Sequence, residues 1–160
     1  MEDLTERTDK NYEIYNFYTP AIELRKFIWE TFASHYLELI KNRAYNEDKS
    51  FTKEETESVK FTLHYLFERF LTLMYPIIPQ LTSTLAKTKK IDLLNLDFPK
   101  AKKGKSNLKL IEELMDFNKT IWKTKKEANI SLREPLNNIK IPPSLIKFEK
   151  DLKACHKIYN

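Results

Sequence analysis

Two groups of side chains in this 160-residue chain have types and spacings suited to binding chemistry. The first is Lys41-Asn42-Arg43-x-Tyr45, where two cations, an amide and a phenol fall close together. Cations bind phosphate oxygens, an amide offers both donors and an acceptor, and a tyrosine ring stacks on unpaired RNA bases. A second reading of the same residues stays open: Lys and Arg in the last turn of a helix complement its dipole. The second group is a flank of Lys119, Lys123, Lys125 and Lys126, followed by Arg133. The remaining aromatics are mostly spaced as helix stripes, which is the pattern of a packed core.

Catalytic arrangements are not found. His35, His64 and His156 are scattered, without partners at zinc-ligand spacing, and read as structural or surface histidines. No nucleophile elbow, zinc-protease helix motif, phosphate loop or cysteine pair occurs. Acidic pairs such as Glu54-Glu55 and Glu112-Glu113 sit where helix faces meet solvent. Cys155 is a lone thiol, which implies a reducing compartment and reads as a small buried hydrophobe. No stretch approaches a membrane span, and the polar start MEDLTERTDK is no signal peptide, so a cytoplasmic protein without a membrane partner is expected. The balance of 28 basic against 23 acidic residues gives +5, which suits a polyanion but is not specific to one.

These residues need elements to hold them. A single glycine argues against hairpin-rich folds and points to helices. From Pro20 to Tyr45, Leu24, Ile28, Phe32, Tyr36 and Leu39 share one side of a helical wheel, with Trp29 and Ile40 at its edge. Trp29, Phe32 and Tyr36 are therefore expected in the core. Arg43 falls near the apolar centre of that wheel, an odd place for a charge. Thr52 and Glu55 have the spacing of a capping box, opening a second helix that Pro76 stops. Thr82 or Thr84 is a candidate cap for a short helix to about Lys87. Residues Met1 to Thr8 read as a frayed start, and the stretch from Asp9 to Tyr18 as a short packing helix or turn.

Beyond Lys89 the pattern changes. Ile91 to Phe98 reads as an extended arm, and Pro99 to Lys105 as a basic linker. Ser106 precedes a third long helix carrying Leu108, Ile111, Leu114, Met115, Phe117, Ile121 and Trp122. Asn137 to Ile141 alternates as a short strand, Ser144 is a candidate cap for a last helix, and Ile158-Tyr159 a second strand. The expected fold is mainly α: an antiparallel helical bundle with helices near 20–45, 53–75 and 106–127 and a small α/β tail. The segments divide as a bundle over 1–89, the arm and linker over 90–105, and a returning helix plus tail over 106–160.

Four segments also carry a resemblance. Phe27-x-Trp29-x-x-Phe32, then Tyr36-x-Glu38-x-x-Lys41, is similar to the helix opening F-x-W-x-x-F and continuing Y-x-E-x-x-K in class I aminoacyl-tRNA synthetases. Leu73-Met74-Tyr75-Pro76-x-x-Pro79 is similar to that family's L-L-H-P-x-x-P turn, with Tyr75 in place of the histidine. Thr82-Ser83-Thr84 stands where the family has T-E-E. Ile91-Asp92-Leu93 to Phe98-Pro99 resembles its extended arm. Ile121-Trp122-Lys123-x-Lys125-Lys126, continuing to Asn129-Ile130-Ser131-Leu132-Arg133-x-Pro135-Leu136, resembles the tail of valyl enzymes.

The resemblance implies an anticodon-binding bundle, a C-terminal piece of a longer enzyme. The signatures H-I-G-H and K-M-S-K-S are absent, so no catalytic residue is expected in this chain, and no cofactor. In the parent, ATP would activate valine for transfer to its tRNA. The implied partners are valine tRNA and the catalytic domain of the same chain. Lys41, Asn42, Arg43 and Tyr45 would then meet the anticodon, and Lys123, Lys125, Lys126 and Arg133 the RNA backbone. The bundle is shared with leucyl, isoleucyl and methionyl enzymes, and a helical protein-interaction domain is the alternative from another class.

Overall fold

In a computed structural model of the chain, residues 1–102 and 107–159 are described. Helix α1 spans Glu2–Glu13, α2 Tyr18–Lys26, and a π-helical stretch Phe27–Leu37 leads into α3, Glu38–Tyr45. Helices α4 (Lys53–Met74), α5 (Pro79–Thr88), α6 (Leu108–Glu127) and α7 (Glu149–His156) follow. Short 3-10 turns cover Leu93–Asn95 and Pro143–Phe148, and strands β1 (Leu136–Asn137) and β2 (Ile158–Tyr159) pair in parallel. The fold is mainly α, a helical bundle with a small α/β tail. None of the described helices is long and apolar enough to cross a membrane.

Local chemistry sets the helix ends. Thr52 and Glu55 form the reciprocal capping box: the Thr52 amide donates to Glu55 Oε2 at 2.7 Å and the Glu55 amide to Thr52 Oγ1 at 3.2 Å. Asn46 ends α3 with φ of 49°, a left-handed turn that asparagine tolerates. Its side chain then exchanges two bonds with the backbone of Phe51, closing the loop. Pro79 begins α5, where its missing amide costs nothing. Thr82 and Thr84 are therefore not caps; their hydroxyls donate back to carbonyls one turn earlier.

Contacts divide the chain into two units, residues 1–29 with 60–106 and residues 30–59 with 107–160. In the first, Leu4, Leu24 and Leu73 are buried, with Met1, Phe27, Met74, Ile77 and Phe98 against them. Met1 to Thr8 is thus no frayed start. Leu4, Thr5 and Thr8 are buried in α1. Arg69, itself buried, donates from Nε to Thr5 Oγ1 at 3.3 Å and from Nη2 to Glu2 Oε2 at 2.9 Å and the Lys100 carbonyl at 2.7 Å. One guanidinium on α4 ties α1 to Lys100, just beyond the arm. In the second unit, Leu39, Leu114, Leu145 and Leu152 form the core, flanked by Phe117, Phe148 and Cys155.

The wheel fails in one place. Trp29 is 74% exposed and is not core, while Phe32 and Tyr36 are half-buried, their rings stacked 5.7 Å apart. The cause is the π-helical stretch. An i→i+5 ladder uses more residues per turn than the α-helix, so a wheel drawn at 3.6 loses register along it. In the tail, β1 is shorter than the run from Asn137 to Ile141, and Ser144 bonds Glu113 rather than capping a helix. Ser106, which precedes the third long helix, and linker residues Lys103, Gly104 and Lys105 lie outside the described residues.

Replacing Arg69 by Ala would leave Glu2, a backbone carbonyl and Thr5 without their shared donor. Loss of about 2–4 kcal/mol is expected in denaturant unfolding, and Arg69→Lys, lacking the fork, restores only part of it.

Candidate nucleic-acid interface

The cluster at the end of α3 opens onto a cleft of about 300 Å³ in the second unit. Lys41, Asn42 and Tyr45 line it, together with Glu47, Asp48 and Lys157. Tyr45 is 72% exposed, and Lys41 lies 3.7 Å from Glu38 on its own helix. The Asn46–Phe51 loop, pinned by its asparagine, carries Glu47 and Asp48 to the rim. Asp48 accepts from the Ser50 amide at 3.1 Å, and the Ser50 hydroxyl, then this amide, holds its carboxyl below the usual range. The cleft thus presents a stacking ring, an amide, two cations and two carboxylates, a mixture able to meet bases and phosphates together.

Arg43 does not face this cleft. It pairs with Asp151 of α7 at 3.2 Å, and the carboxylate is nearly buried. That answers its place at the apolar centre of the wheel: α7 packs there and brings the counter-charge. Burial raises the Asp151 carboxyl's pKa, with Arg43 acting against the rise. Arg43 is thus held in an ion pair between α3 and α7, with its side chain 26% exposed.

Lys125 lies inside the fold. It is 0% exposed, and its ammonium donates to the carbonyls of Leu132 at 2.9 Å, Glu134 at 2.6 Å and His156 at 2.8 Å. No donor remains for a phosphate. Burial lowers its pKa, which Cys155 and Glu134 oppose. Lys123, Lys126 and Arg133 are exposed, and Lys123 lies 3.8 Å from Glu127.

Beside Lys125 lies a buried polar chain. Asn118, 0% exposed, sits between two histidines: His156 Nε2 is 2.7 Å from Asn118 Oδ1, and Asn118 Nδ2 is 3.4 Å from His35 Nδ1. These contacts assign a proton to His156 Nε2 and an acceptor lone pair to His35 Nδ1, which makes the His35 ring neutral. Trp122 packs on both, stacked on His35 at 5.2 Å and edge-on to His156 at 5.9 Å. Burial, then Lys125, pushes His156 down to about 4, and burial lowers His35 as well.

The family described as the anticodon-binding domain of tRNA ligase matches residues 1–141. The chain belongs to that family. Similar full-length proteins include the valine–tRNA ligases of Nanoarchaeum equitans, 36% identical over 90% of this chain, and Aeropyrum pernix, 32% identical over 98%. That of Pyrobaculum aerophilum is 31% identical over 99%. The chain spans about one-fifth of their length, between 18% and 20%. Sequence reasoning missed Glu47, Asp48 and Lys157 as cleft residues. Lys157 comes from the far end of the chain, and only the parallel pairing of β2 with β1 marks that end as returning to the tail.

The histidines make stability depend on pH. A folded pKa near 4 against an ordinary 6.5 means the unfolded chain binds the proton first as pH falls. His156 therefore supports the fold above pH 6.5 and loses that support between 6.5 and 4. Stability should drop by about 2 kcal/mol from this group as pH falls from about 7.5 to about 5, and His156→Gln should flatten that part of a urea-midpoint profile.

Proposed function

We propose that this chain grips the anticodon arm of a tRNA, valine tRNA in particular, within an enzyme that uses ATP to join valine to its tRNA in the cytoplasm. The observation that carries this is the cleft at the end of α3, where Tyr45 stands exposed beside Lys41, Asn42 and Lys157. Family membership supports the RNA class, and the names of the relatives support valine. The catalytic portion of the parent enzyme, which would hold ATP, is the second partner.

Binding divides between two kinds of contact. Lys41 and Lys157 at the cleft, and Lys123, Lys126 and Arg133 outside it, meet phosphates and set affinity and register. Tyr45 stacks on a splayed base, and Asn42 and the rim carboxylates Glu47 and Asp48 engage base edges, so they carry the choice of anticodon.

Each phosphate contact to single-stranded RNA steepens the fall of log affinity with log salt by about 0.7. In titrations of the chain against valine tRNA, Lys123→Ala with Lys126→Ala should weaken every tRNA alike and flatten the slope by about 1.4. Tyr45→Ala should leave the slope in place and reduce the preference for valine tRNA over an unrelated tRNA. An unchanged preference would place base reading outside this cleft. No binding to any tRNA at low salt would favour a protein-interaction domain instead.

A further inference from the structure

Lys125 is the only side chain of the described basic run that is sealed from solvent, and the three carbonyls it holds are not scattered. Leu132 and Glu134 flank Arg133 on either side. His156 directly precedes Lys157. Each of the two exposed or half-exposed cations is thus attached to backbone that the same ammonium fixes. The surrounding bonds repeat the pattern. The Arg133 amide donates to Ser131 Oγ at 3.3 Å and the Glu134 amide to the Ser131 carbonyl at 3.0 Å, which shapes the turn. The Leu136 amide donates to the Lys157 carbonyl at 3.0 Å, which brings β1 beside β2. Lys157 itself takes a left-handed conformation, φ 54°, at the end of α7, a costly choice for a lysine that is kept because its neighbours on both sides are bonded.

We propose that Lys125 is a positioning residue of the RNA-binding face: its buried ammonium clamps the turn carrying Arg133 to the α7 terminus carrying Lys157, and so sets where both cations meet the RNA backbone. This rests on the anticodon-arm role proposed above. The chemistry favours a lysine at this point. An ammonium offers three donors around one atom, which matches three converging carbonyls, whereas a guanidinium is a planar fork. An apolar residue of the same length would leave the carbonyls unpaired and the turn free to move.

The test compares Lys125→Met, Lys125→Arg and the surface pair Arg133→Ala/Lys157→Ala in the whole chain. Valine tRNA is titrated at several salt concentrations, at a temperature where circular dichroism shows each protein folded. The surface pair should lose affinity about tenfold or more and flatten the salt slope by about 1.4. Folded Lys125→Met should flatten the slope toward the same value, and adding it to the surface pair should cause no further loss, because both changes remove the same two contacts. Lys125→Arg should fall between, and it decides the matter if Lys125→Met does not fold. A purely structural role would lower the melting temperature and leave the slope of the folded protein untouched, which would overturn the positioning role. If the surface pair binds as tightly as wild type, the RNA-facing assignment of Arg133 and Lys157 falls first, and the positioning role with it. If the surface pair weakens binding while folded Lys125→Met and Lys125→Arg do not, only the positioning role falls.

Discussion

A buried ammonium must find oxygen in several directions, and that requirement shapes the second unit of this domain. Taking a charge out of water costs several kcal/mol even after relaxation, so the site persists only if every proton is accepted. Lys125 meets the condition with three backbone carbonyls, two from the turn after α6 and one from the end of α7. The turn after α6 and the end of α7 meet at this atom, and the pairing of two short strands joins them beside it. The Asn118–histidine chain fills the neighbouring space with polar groups whose burial disfavours the charged imidazoles.

The first unit uses the same device with a different cation. Arg69 spreads its fork over a carboxylate, a hydroxyl and a carbonyl, joining α1 to Lys100 beyond the arm. The choice of residue follows the geometry: separated acceptors in one plane suit a guanidinium, and converging carbonyls suit an ammonium. Basic residues in this chain are therefore of two kinds. Arg43, Arg69 and Lys125 are consumed by the fold, while Lys41, Lys123, Lys126 and Arg133 remain at the surface. Net charge counts both alike, which is why it says little about RNA.

Much of the architecture was legible from sequence because its signals are local. The three long helices, the capping box at Thr52 and Glu55, the stop at Pro76 and the final strand at Ile158-Tyr159 each follow from residues within one or two turns. The failures share a different cause. Trp29 was misplaced because a π-helical ladder changes the period without changing composition. Lys125 looked like one more solvated lysine because its three acceptors lie up to thirty-one residues away and none is a side chain. Arg43 showed itself as an anomaly on the wheel, yet its partner Asp151 could not be named until α7 was placed. Of the cleft, Lys41, Asn42 and Tyr45 were visible as a cluster, whereas Lys157 was not.

The central claim is that the cleft at the end of α3 receives an anticodon loop. Hydroxyl-radical footprinting of valine tRNA, free and bound to this chain at low salt, tests it most directly. The account predicts protection confined to the anticodon stem and loop, with the loop nucleotides most strongly covered and Tyr45→Ala restoring cleavage there. Protection of the acceptor stem with the loop left open would contradict it.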